Sequence, residues 1–418
     1  MDKSTADPIQ HYLEMYRPGY SLPRPFYQDE LIYQTELAQI WRRGWLFAGY
    51  TNQIPKPGDF FLYSIDTESI IILRNEQGDV VAFHNLCTHR GSILVEKAGH
   101  CRTLVCPYHQ WSFGLDGRLR QCRSMTDQFD KTPWGLHAVA VRTVAGLIYI
   151  SLAEHPPDFD RAEANLREPV EIQGFEQAKI AHVIDYQIQT NWKLVWENNR
   201  ECYHCESNHP EYLAANFDRY DTQTFTPKVA EEFQTALKRH EQALTAAGVA
   251  GATTGLFAES GLFAFPDAEK QIWYTAYRTA LVADYITQSL NGQSIAPLMG
   301  AYQHPDVGTL RARTLPNFWF HASSDHAVST RLTPAGLHCT HAQVVWLVNA
   351  DAEPGKDYQL EDLLPFWQLT SEQDWLICER QQQGVNSLVY TPGPLSPLKE
   401  ANVDQFLQWY VKQLSQVQ

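Results

Sequence analysis

The sequence predicts an α+β protein in which a small all-β module precedes a larger mixed domain. Between residues 44 and 153 the apolar residues come in short runs separated by glycines and prolines, which is typical of short strands joined by turns. The pair Asp116 and Gly117 adds a hairpin signal inside this stretch. Two consecutive prolines, Pro156 and Pro157, then break the pattern and indicate a connection to a second domain.

The individual elements follow from the spacing of the apolar residues. A helical pattern from Asp29 to Trp41 predicts an N-terminal helix that packs on the later domain. The strands expected in the all-β module are Phe60 to Tyr63, Ile70 to Leu73, Val80 to Phe83, Leu104 to Val105 and Leu147 to Leu152. Beyond it, strands are expected at Ile180 to Ile188, Gln271 to Tyr277, Asn317 to Ala322 and Gln343 to Val348. Helices are expected at Val229 to Ala247, where Gly248 ends the pattern, at Glu361 to Gln383 and at Asn402 to Leu414.

These patterns divide the 418 residues into two domains. We expect the first domain at residues 45–155 and the second at 156–418, with residues 1–44 packing on the second. The glycines and small residues between 243 and 261 predict a mobile loop or a plain linker.

Composition excludes several classes of function. Lys and Arg number 33 against 48 Asp and Glu, a formal net charge of -15, so a basic surface for nucleic acid or anionic membranes is not expected. The N-terminus MDKSTADPIQ has no apolar signal region, and no stretch reaches the ~20 apolar residues that a membrane span requires. We therefore expect a soluble, cytoplasmic protein whose eight cysteines bind metal or stay free.

Four of the cysteines and histidines form two short mixed motifs. Cys87 and His89 are followed, after sixteen residues, by Cys106 and His109. Two loops that each carry one thiolate and one imidazole can supply four ligands at the tip of a β module. A structural zinc site is the competing interpretation, but zinc motifs usually pair cysteine with cysteine and histidine with histidine. The mixed order therefore favours a 2Fe-2S cluster in which two histidines hold one of the two irons.

Here the sequence resembles the Rieske proteins. The residues around the motif that carry the resemblance to the Rieske domain of the oxygenases are Arg90, Gly91, Trp111, Phe113, Asp116 and Gly117. Respiratory Rieske proteins carry one further cysteine in each cluster loop, and these two form a disulfide. Cys101 and Cys122 lie elsewhere, so we expect them to be free thiols, which disfavours the membrane-bound electron carriers.

A second motif lies between residues 191 and 210. On a helix, Glu201 and His204 would share a face because they are three residues apart. His204 and His209 are five apart, so a break before Pro210 is needed for both rings to reach one ion. Two histidines and one carboxylate on one face of iron leave positions open for dioxygen, as in non-haem Fe(II) oxygenases.

The stretch E-x-Y-H-x4-H-P resembles the mononuclear iron motif of the Rieske non-haem iron oxygenases. In that family an Asp on a C-terminal helix completes the iron ligands, and Asp374 is the position that matches it. The rival carboxylates are Glu361, Asp362 and Glu372. Read without the Rieske motif, Cys202 and Cys205 would also allow a zinc site, and the histidines would by default belong to the core or surface.

Glu201 lies where the family places an acid that bridges the Rieske centre of one subunit to the iron of its neighbour. The resemblance thus implies a homotrimer in which Glu201 carries electrons between subunits. Many members have Asp here, and the competing interpretation is a solvated acid.

The segments NWKLVWENNRECYHCESNHPEY and CPYHQW look most like the branch that acts on glycine betaine, proline betaine, carnitine and choline. The resemblance extends from Tyr20 to about Leu414. Aromatic faces attract a quaternary ammonium cation, and a betaine carboxylate also needs a donor that the sequence does not identify. The aromatic candidates are Tyr203, Trp273, Tyr274, Tyr277, Phe318, Trp319, Phe320 and Tyr390, and each has core packing as its competing role.

The resemblance implies an oxygenase component that receives electrons from a separate reductase carrying flavin, an iron-sulfur centre and NAD(P)H. It would hydroxylate an N-methyl group of glycine betaine or proline betaine and release formaldehyde. No nucleotide-binding motif is evident in this chain, which agrees with a partner reductase. The alternatives are carnitine or choline as substrate, an aromatic-ring hydroxylating α subunit, and, outside the enzymes, an electron-transfer Rieske protein or a zinc-stabilised binding module.

Overall fold

The computed structural model describes residues 8–219, 226–246 and 273–416. The chain divides into two compact units, one formed by Arg42–Phe159 and the other by Met1–Trp41 together with Asp160–Gln418. The first unit is built from strands, and the second combines helices with one antiparallel sheet. The α+β class predicted from the sequence is confirmed.

The unit Arg42–Phe159 contains ten short strands. They are β1 (Leu46–Tyr50), β2 (Asp59–Ile65), β3 (Glu68–Arg74), β4 (Val80–His84), β5 (Gly99–His100), β6 (Leu104–Val105), β7 (Ser112–Phe113), β8 (Leu119–Gln121), β9 (Ala138–Val144) and β10 (Leu147–Ser151). A seven-stranded antiparallel sheet has the order β1-β10-β9-β4-β3-β2-β5, and β6, β7 and β8 form a separate three-stranded sheet.

The predicted hairpin at Asp116 and Gly117 joins β7 to β8. The Asp116 carboxylate accepts a hydrogen bond from the backbone N–H of Arg118 at 3.1 Å, an arrangement that stabilises the turn. Gly117 has φ +76°, and a Cβ there would lie 2.4 Å from the Phe83 ring, so a side chain is excluded both by conformation and by space. This turn closes the small sheet over a buried apolar cluster that includes Trp111.

The second unit contains eleven α-helices among the described residues. They are α1 (Pro8–Met15), α2 (Pro25–Gln28), α3 (Glu30–Glu36), α4 (Asp160–Gln173), α5 (Trp192–Asn199), α6 (Cys205–Asn208), α7 (Pro210–Ala215), α8 (Pro227–Ala246), α9 (Leu360–Leu363), α10 (Pro365–Val385) and α11 (Ala401–Ser415). Six strands, β11 (Ala178–Ile188), β12 (Tyr274–Thr279), β13 (Thr309–Thr314), β14 (Phe318–Ala322), β15 (His326–Pro334) and β16 (Thr340–Asn349), form an antiparallel sheet of order β11-β16-β15-β14-β13-β12.

The N-terminal helices belong to the second unit because their residues meet α5 and α11. The Asp29 side chain caps α3 by accepting from the backbone N–H of Leu31, and a π-helical turn over Leu37–Trp41 extends the helix. Glu36, at the end of α3, is fully buried and lies 2.6 Å from Nζ of Lys193 on α5. A buried ion pair of this kind fixes the N-terminal helices against α5, since removing one partner leaves an uncompensated charge.

One face of the six-stranded sheet lines a cavity. In β13 and β14, Arg311 pairs with His321 and Arg313 with Trp319, and all four side chains lie on the cavity face. Because side chains alternate across a strand, their neighbours face the opposite side. The buried residues of that opposite face include Leu310, Ala312, Phe318 and Phe320.

Two predicted helices differ at their ends from the structure. The pattern from Glu361 to Gln383 forms two helices, α9 and α10, because Pro365 takes the first position of α10 and cannot donate to a preceding turn. The pattern from Val229 corresponds to α8, while residues 247–261 of the predicted loop lie outside the described residues, as do 271 and 272 of the predicted strand.

Among the described helices, none is both long and apolar enough to cross a membrane.

Candidate functional site

Two loops of the β unit carry the first set of predicted ligands. Cys87 follows β4, and Gly91 returns its backbone N–H to the Cys87 carbonyl at 2.8 Å, which closes a tight turn. Cys106 follows β6, and Gln110 makes the equivalent bond to the Cys106 carbonyl at 3.0 Å. Gly91 and Gln110 both have positive φ, which lets each loop fold back on its cysteine. The two loops thus contain the same hydrogen-bonded turn.

The two turns bring the four residues together. The rings of His89 and His109 have centroids 4.8 Å apart, and Trp111 stacks on His89 at 4.6 Å. Cys87 and Cys106 are buried, whereas both histidines remain partly exposed. The Nδ1 atom of His89 is buried without a hydrogen-bond partner, which a neutral ring tolerates if this nitrogen ligates a metal. These residues therefore fit a 2Fe-2S cluster with two thiolate and two imidazole ligands.

The surroundings favour a thiolate at Cys106 and a neutral imidazole at His109, whereas they favour the protonated thiol at Cys87. Burial raises the pKa of Cys87, and the neighbouring Cys106 raises it further. Burial also acts to raise the pKa of Cys106, but backbone N–H groups of Tyr108 and His109 donate to its sulfur and lower the pKa. Burial, with the charges of His89 and Arg90, lowers the pKa of His109 and favours the neutral ring.

The second set of ligands lies where α5, α6, α7 and α10 meet. His204 precedes α6, and the backbone at His209 leaves helical geometry with φ -127° and ψ 63° before α7 begins at Pro210. This is the break between the two histidines that the sequence predicts. Asp374 lies on α10, 165 residues beyond His209. The structure thus brings Asp374 to two histidines that lie 170 and 165 residues earlier in the sequence.

Three donor atoms form a nearly equilateral triangle. His204 Nε2 lies 3.1 Å from His209 Nε2 and 3.1 Å from Asp374 Oδ1, and His209 Nε2 lies 2.9 Å from the same oxygen. Ligands about 2.1 Å from a metal are about 3.0 Å apart when they meet it at right angles, and farther apart in a tetrahedral site. The triangle therefore fits one face of an octahedral Fe(II) ion with its other positions open.

Hydrogen bonds to neighbouring residues orient both histidine rings. The Glu201 carboxylate accepts from His204 Nδ1 at 2.6 Å, and the Gln373 amide oxygen accepts from His209 Nδ1 at 2.7 Å. Because each Nδ1 carries the proton, each Nε2 is left as the nitrogen able to bind a metal. Sequence reasoning missed Gln373, although its position directly before Asp374 is a signal that could have identified it.

The charges within the triangle hold Asp374 ionised. Burial acts to raise its pKa, but hydrogen bonds from His204 and His209 outweigh this effect and lower the pKa to about 2. Burial likewise acts to lower the pKa of His204, yet Asp374 and Glu201 raise it to about 10. Without a cation, protons on the histidines supply the positive charge that balances the carboxylates. A divalent metal would supply that positive charge instead.

Two sequence expectations are wrong in detail. Glu201 and His204 do not share a helix face, because α5 ends at Asn199 and both residues lie in the following turn. Glu201 still reaches His204, since its carboxylate folds back onto the backbone N–H groups of that turn. Cys202 and Cys205 form a disulfide, whereas the cysteines were expected to bind metal or stay free.

Cys101 and Cys122 are free thiols, as predicted. The rival carboxylate Glu372 points away from the histidines, because it accepts from Tyr186 and Gln368 on the outer side of α10.

A cavity of about 70 Å3 adjoins the three donor atoms. Its walls are the α5–α7 segment, one side of α10 and the cavity face of the sheet. Of the eight aromatic candidates from the sequence, only Trp319 lines this cavity. The aromatic residues that the sequence analysis missed are Tyr212, Trp367 and Trp375. Trp367 is seven residues before Asp374, so the two share one side of α10, a spacing that could have identified it.

The comparisons with known proteins agree with this arrangement. A family model described as the ring hydroxylating alpha subunit (catalytic domain) matches residues 175–416, and a Rieske [2Fe-2S] domain model matches residues 44–140. The chain belongs to the Rieske non-haem iron oxygenase α subunits. Within this family of oxidoreductases it is a monooxygenase, with a Rieske 2Fe-2S domain and a non-haem iron catalytic domain.

Rieske oxygenases with known activity resemble it over almost its whole length. The glycine betaine monooxygenase oxygenase subunit of Pseudomonas aeruginosa is 36% identical over 415 residues, covering 99% of this chain and 92% of that protein. The subunit of the same name from Chromohalobacter salexigens is 36% identical over 410 residues, covering 97% and 88%. The crystal structure of a quaternary ammonium Rieske monooxygenase with an inhibitor matches with a TM-score of 0.70 at 17% identity, covering 97% and 98%, which shows a shared fold.

Proposed function

We propose that this protein is the oxygenase component of a monooxygenase that demethylates a quaternary ammonium compound, with glycine betaine or proline betaine as its substrate. The observation that supports this proposal most strongly is the triangle of His204, His209 and Asp374 beside a cavity lined by tryptophans. It occurs in a chain 36% identical to glycine betaine monooxygenase oxygenase subunits over nearly its full length.

The proposed domains and ligands follow from this assignment. Residues 45–155 form the Rieske domain, in which Cys87, His89, Cys106 and His109 hold the 2Fe-2S cluster. Residues 156–418, with 1–44 packed on them, form the catalytic domain, in which His204, His209 and Asp374 hold Fe(II). When bound, the cluster supplies electrons singly and the iron activates dioxygen for attack on a C–H bond.

The protein's own residues prepare the site for this chemistry. Glu201 and Gln373 each hold the proton of a histidine Nδ1, so that both Nε2 atoms face the metal position. Asp374 is ionised and needs no proton release when a cation binds. The tryptophans around the cavity exclude water from the reacting methyl group, which protects the reaction from side products.

Glu201 is the proposed electron-transfer bridge between subunits of a homotrimer. Its carboxylate already binds the iron ligand His204 at 2.6 Å, which is one half of such a bridge. The partly exposed rings of His89 and His109 are accessible for the other half. A hydrogen-bonded carboxylate between a cluster histidine and an iron histidine shortens the path that electrons travel.

The proposed reaction balances as a two-electron monooxygenation. One oxygen atom enters a C–H bond of the N-methyl group, and the other leaves as water with two protons and two electrons. The N-hydroxymethyl product then breaks its carbon–nitrogen bond, giving formaldehyde, a proton and the tertiary amine. The electrons come from NAD(P)H through a separate flavin and iron-sulfur reductase. We propose that the oxygenase and this reductase are both cytoplasmic.

A substrate panel tests the proposal. The chemically reduced, iron-replete protein would be supplied with oxygen and with glycine betaine, proline betaine, carnitine, choline or naphthalene, and oxygen uptake and product masses would be measured. With glycine betaine or proline betaine, we expect one molecule of formaldehyde for each molecule of O2 consumed. Formaldehyde formed only with carnitine or choline would show that one of these compounds is the substrate. A diol formed from naphthalene would show that the enzyme is a ring hydroxylase.

A further inference from the structure

Arg313 is a buried cation on the wall of the cavity, and the described residues provide no carboxylate partner for it. Arg313 is only 6% exposed, and no carboxylate of the described residues lies within 4 Å of its guanidinium. Arg311, two positions earlier on the same strand, is instead neutralised by Asp218 at 2.7 Å. A buried charge without a counter-charge is costly, so a site of this kind favours a ligand that brings the missing negative charge.

Two hydrogen bonds hold the Arg313 side chain and leave one nitrogen available. Nε donates to Oδ1 of Asn199 at 3.1 Å, and Nη1 donates to the Tyr277 hydroxyl at 2.5 Å. Nη2 bonds to none of the described residues. A guanidinium anchored at two nitrogens is ready to bind an anion with the third, because little side-chain freedom is lost on binding.

The groups around Arg313 confirm that this wall is positive. Burial lowers the pKa of Arg200 to about 9, and the like charge of Arg313 contributes to the shift. Burial also moves the pKa of His321 well below its ordinary value, and the charges of Arg311 and Arg313 add to this effect, so its ring is neutral. Asp374 and Glu201 lie on the opposite wall, so the two walls of the cavity carry opposite charge.

Trp319 lies directly across the sheet from Arg313. The two residues are paired in the antiparallel register of β13 and β14, and both line the cavity. Side chains at directly opposed positions start about 5 Å apart, so Arg313 and Trp319 extend from adjacent points on the same wall. Trp196 packs edge-on against Trp319 at 5.1 Å and holds the indole in place.

We propose that Arg313 binds the carboxylate of the substrate and Trp319 its quaternary ammonium group, so that this pair selects betaines with one carbon between the two charges. The inference rests on the proposed function and names the residues that determine its specificity. Glycine betaine and proline betaine have that spacing, whereas γ-butyrobetaine separates the charges by three carbons. Choline has no carboxylate and leaves Arg313 without a partner.

Steady-state kinetics of two leucine variants test the proposal. Arg313→Leu removes the charge in the cavity, and Arg331→Leu makes the same change on β15 at a position paired with Phe318, away from the cavity face. We expect Arg313→Leu to raise the KM for glycine betaine about 10- to 100-fold, as for loss of a charged hydrogen bond. The KM for tetramethylammonium, which has no carboxylate, should change less than about 3-fold, and Arg331→Leu should change neither.

The second half of the pair has its own variant. Trp319→Leu should raise the KM for both glycine betaine and tetramethylammonium, by about 10-fold, because both carry the cation. Equal KM values for glycine betaine in Arg313→Leu and Arg331→Leu would overturn the assignment of Arg313. A tetramethylammonium KM as low as that for glycine betaine in the unaltered enzyme would overturn it too, without any variant.

Two further measurements separate folding and function from specificity. If Arg313→Leu does not retain its metals, Arg313→Lys keeps the charge without the planar fork and should show a smaller rise in KM at unchanged iron content. If no quaternary ammonium compound is demethylated, the proposed function fails. Anaerobic calorimetric titration with glycine betaine still reports on Arg313 in that case, since weaker binding to the variant supports the inference and equal binding overturns it.

Discussion

Gln373 accepts a hydrogen bond from Nδ1 of His209 at 2.7 Å. The amide oxygen can only accept, so the ring must carry its proton on Nδ1 and present Nε2 to Asp374. One stretch of α10 therefore supplies both a proposed iron ligand and the group that orients another ligand. A positioning residue of this kind changes metal affinity without touching the metal.

Replacing Gln373 should weaken iron binding. We expect Gln373→Leu to lower the affinity for Fe(II) about 10- to 100-fold, because His209 loses the partner that fixes its ring. Equilibrium dialysis of the iron-depleted protein against Fe(II) measures the change. Glu372→Gln is the matched control, since Glu372 contacts Tyr186 and Gln368 instead of the histidines. Equal affinity in the two variants would contradict this role for Gln373.

The two metal sites should be separable by iron counting. The intact protein should hold three irons per chain, two in the cluster and one at the mononuclear site. His204→Ala should reduce the count to two and keep the visible spectrum of the Rieske cluster, whereas Cys106→Ser should lose the spectrum. Cys101→Ser, which alters a free thiol, serves as the control. A His204→Ala protein with three irons would exclude His204 as a ligand.

Glu201 should be required for turnover and not for metal binding. Glu201→Gln keeps the size of the side chain and an oxygen that can accept from His204 Nδ1, but it removes the negative charge. We expect its kcat to fall at least about 100-fold while all three irons remain, and Glu201→Asp to recover part of the rate. Glu206→Gln alters an exposed acid five residues later and should leave kcat unchanged. Normal turnover in Glu201→Gln would refute the bridge.

Stability should depend on pH through Glu197. Burial raises the pKa of Glu197 from 4.5 to about 7, although Tyr27 and Lys193 partly oppose the shift. The folded protein thus keeps a proton that the unfolded chain releases, and the associated stability is present below about pH 4.5 and lost as the pH rises through 7. Glu197→Gln cannot ionise and should not show this loss.

Urea unfolding between pH 4.5 and pH 8 measures the effect in both proteins. As the pH rises, the unfolding free energy of Glu197→Gln should increase relative to that of the unaltered protein. The slope should be up to about 1.4 kcal/mol per pH unit. Other titrating groups affect both proteins alike and cancel in the difference. Parallel curves would show that Glu197 has an ordinary pKa.

Local sequence patterns predicted the proposed ligands, whereas the cavity walls were not predictable from them. The ligands of the cluster and the two histidines lie within short motifs, so spacing together with the family resemblance identified candidates that the structure brings together, whereas Asp374 followed from the resemblance alone. Trp319 and Arg313 meet through a strand pairing that no local pattern contains, because the register between β13 and β14 depends on the packing of the whole sheet. Phe318 and Phe320, which look equally suitable in the sequence, face the opposite side.

The turn at Glu201 shows the same limit. A three-residue spacing predicts a shared helix face, and the two residues do meet, but through a turn whose backbone N–H groups bind the carboxylate. The disulfide between Cys202 and Cys205 likewise depends on that turn, since a regular helix was the expectation for this segment.

Electron transfer from the cluster to the mononuclear iron during substrate oxidation is the central claim, and rapid-freeze electron paramagnetic resonance tests it most directly. The fully reduced protein would be mixed with oxygen and glycine betaine, and the signal of the reduced cluster would be followed beside formaldehyde release. We predict that the signal disappears at the rate at which formaldehyde forms, and that it persists in Glu201→Gln. Formaldehyde formation with the cluster still reduced would contradict the account.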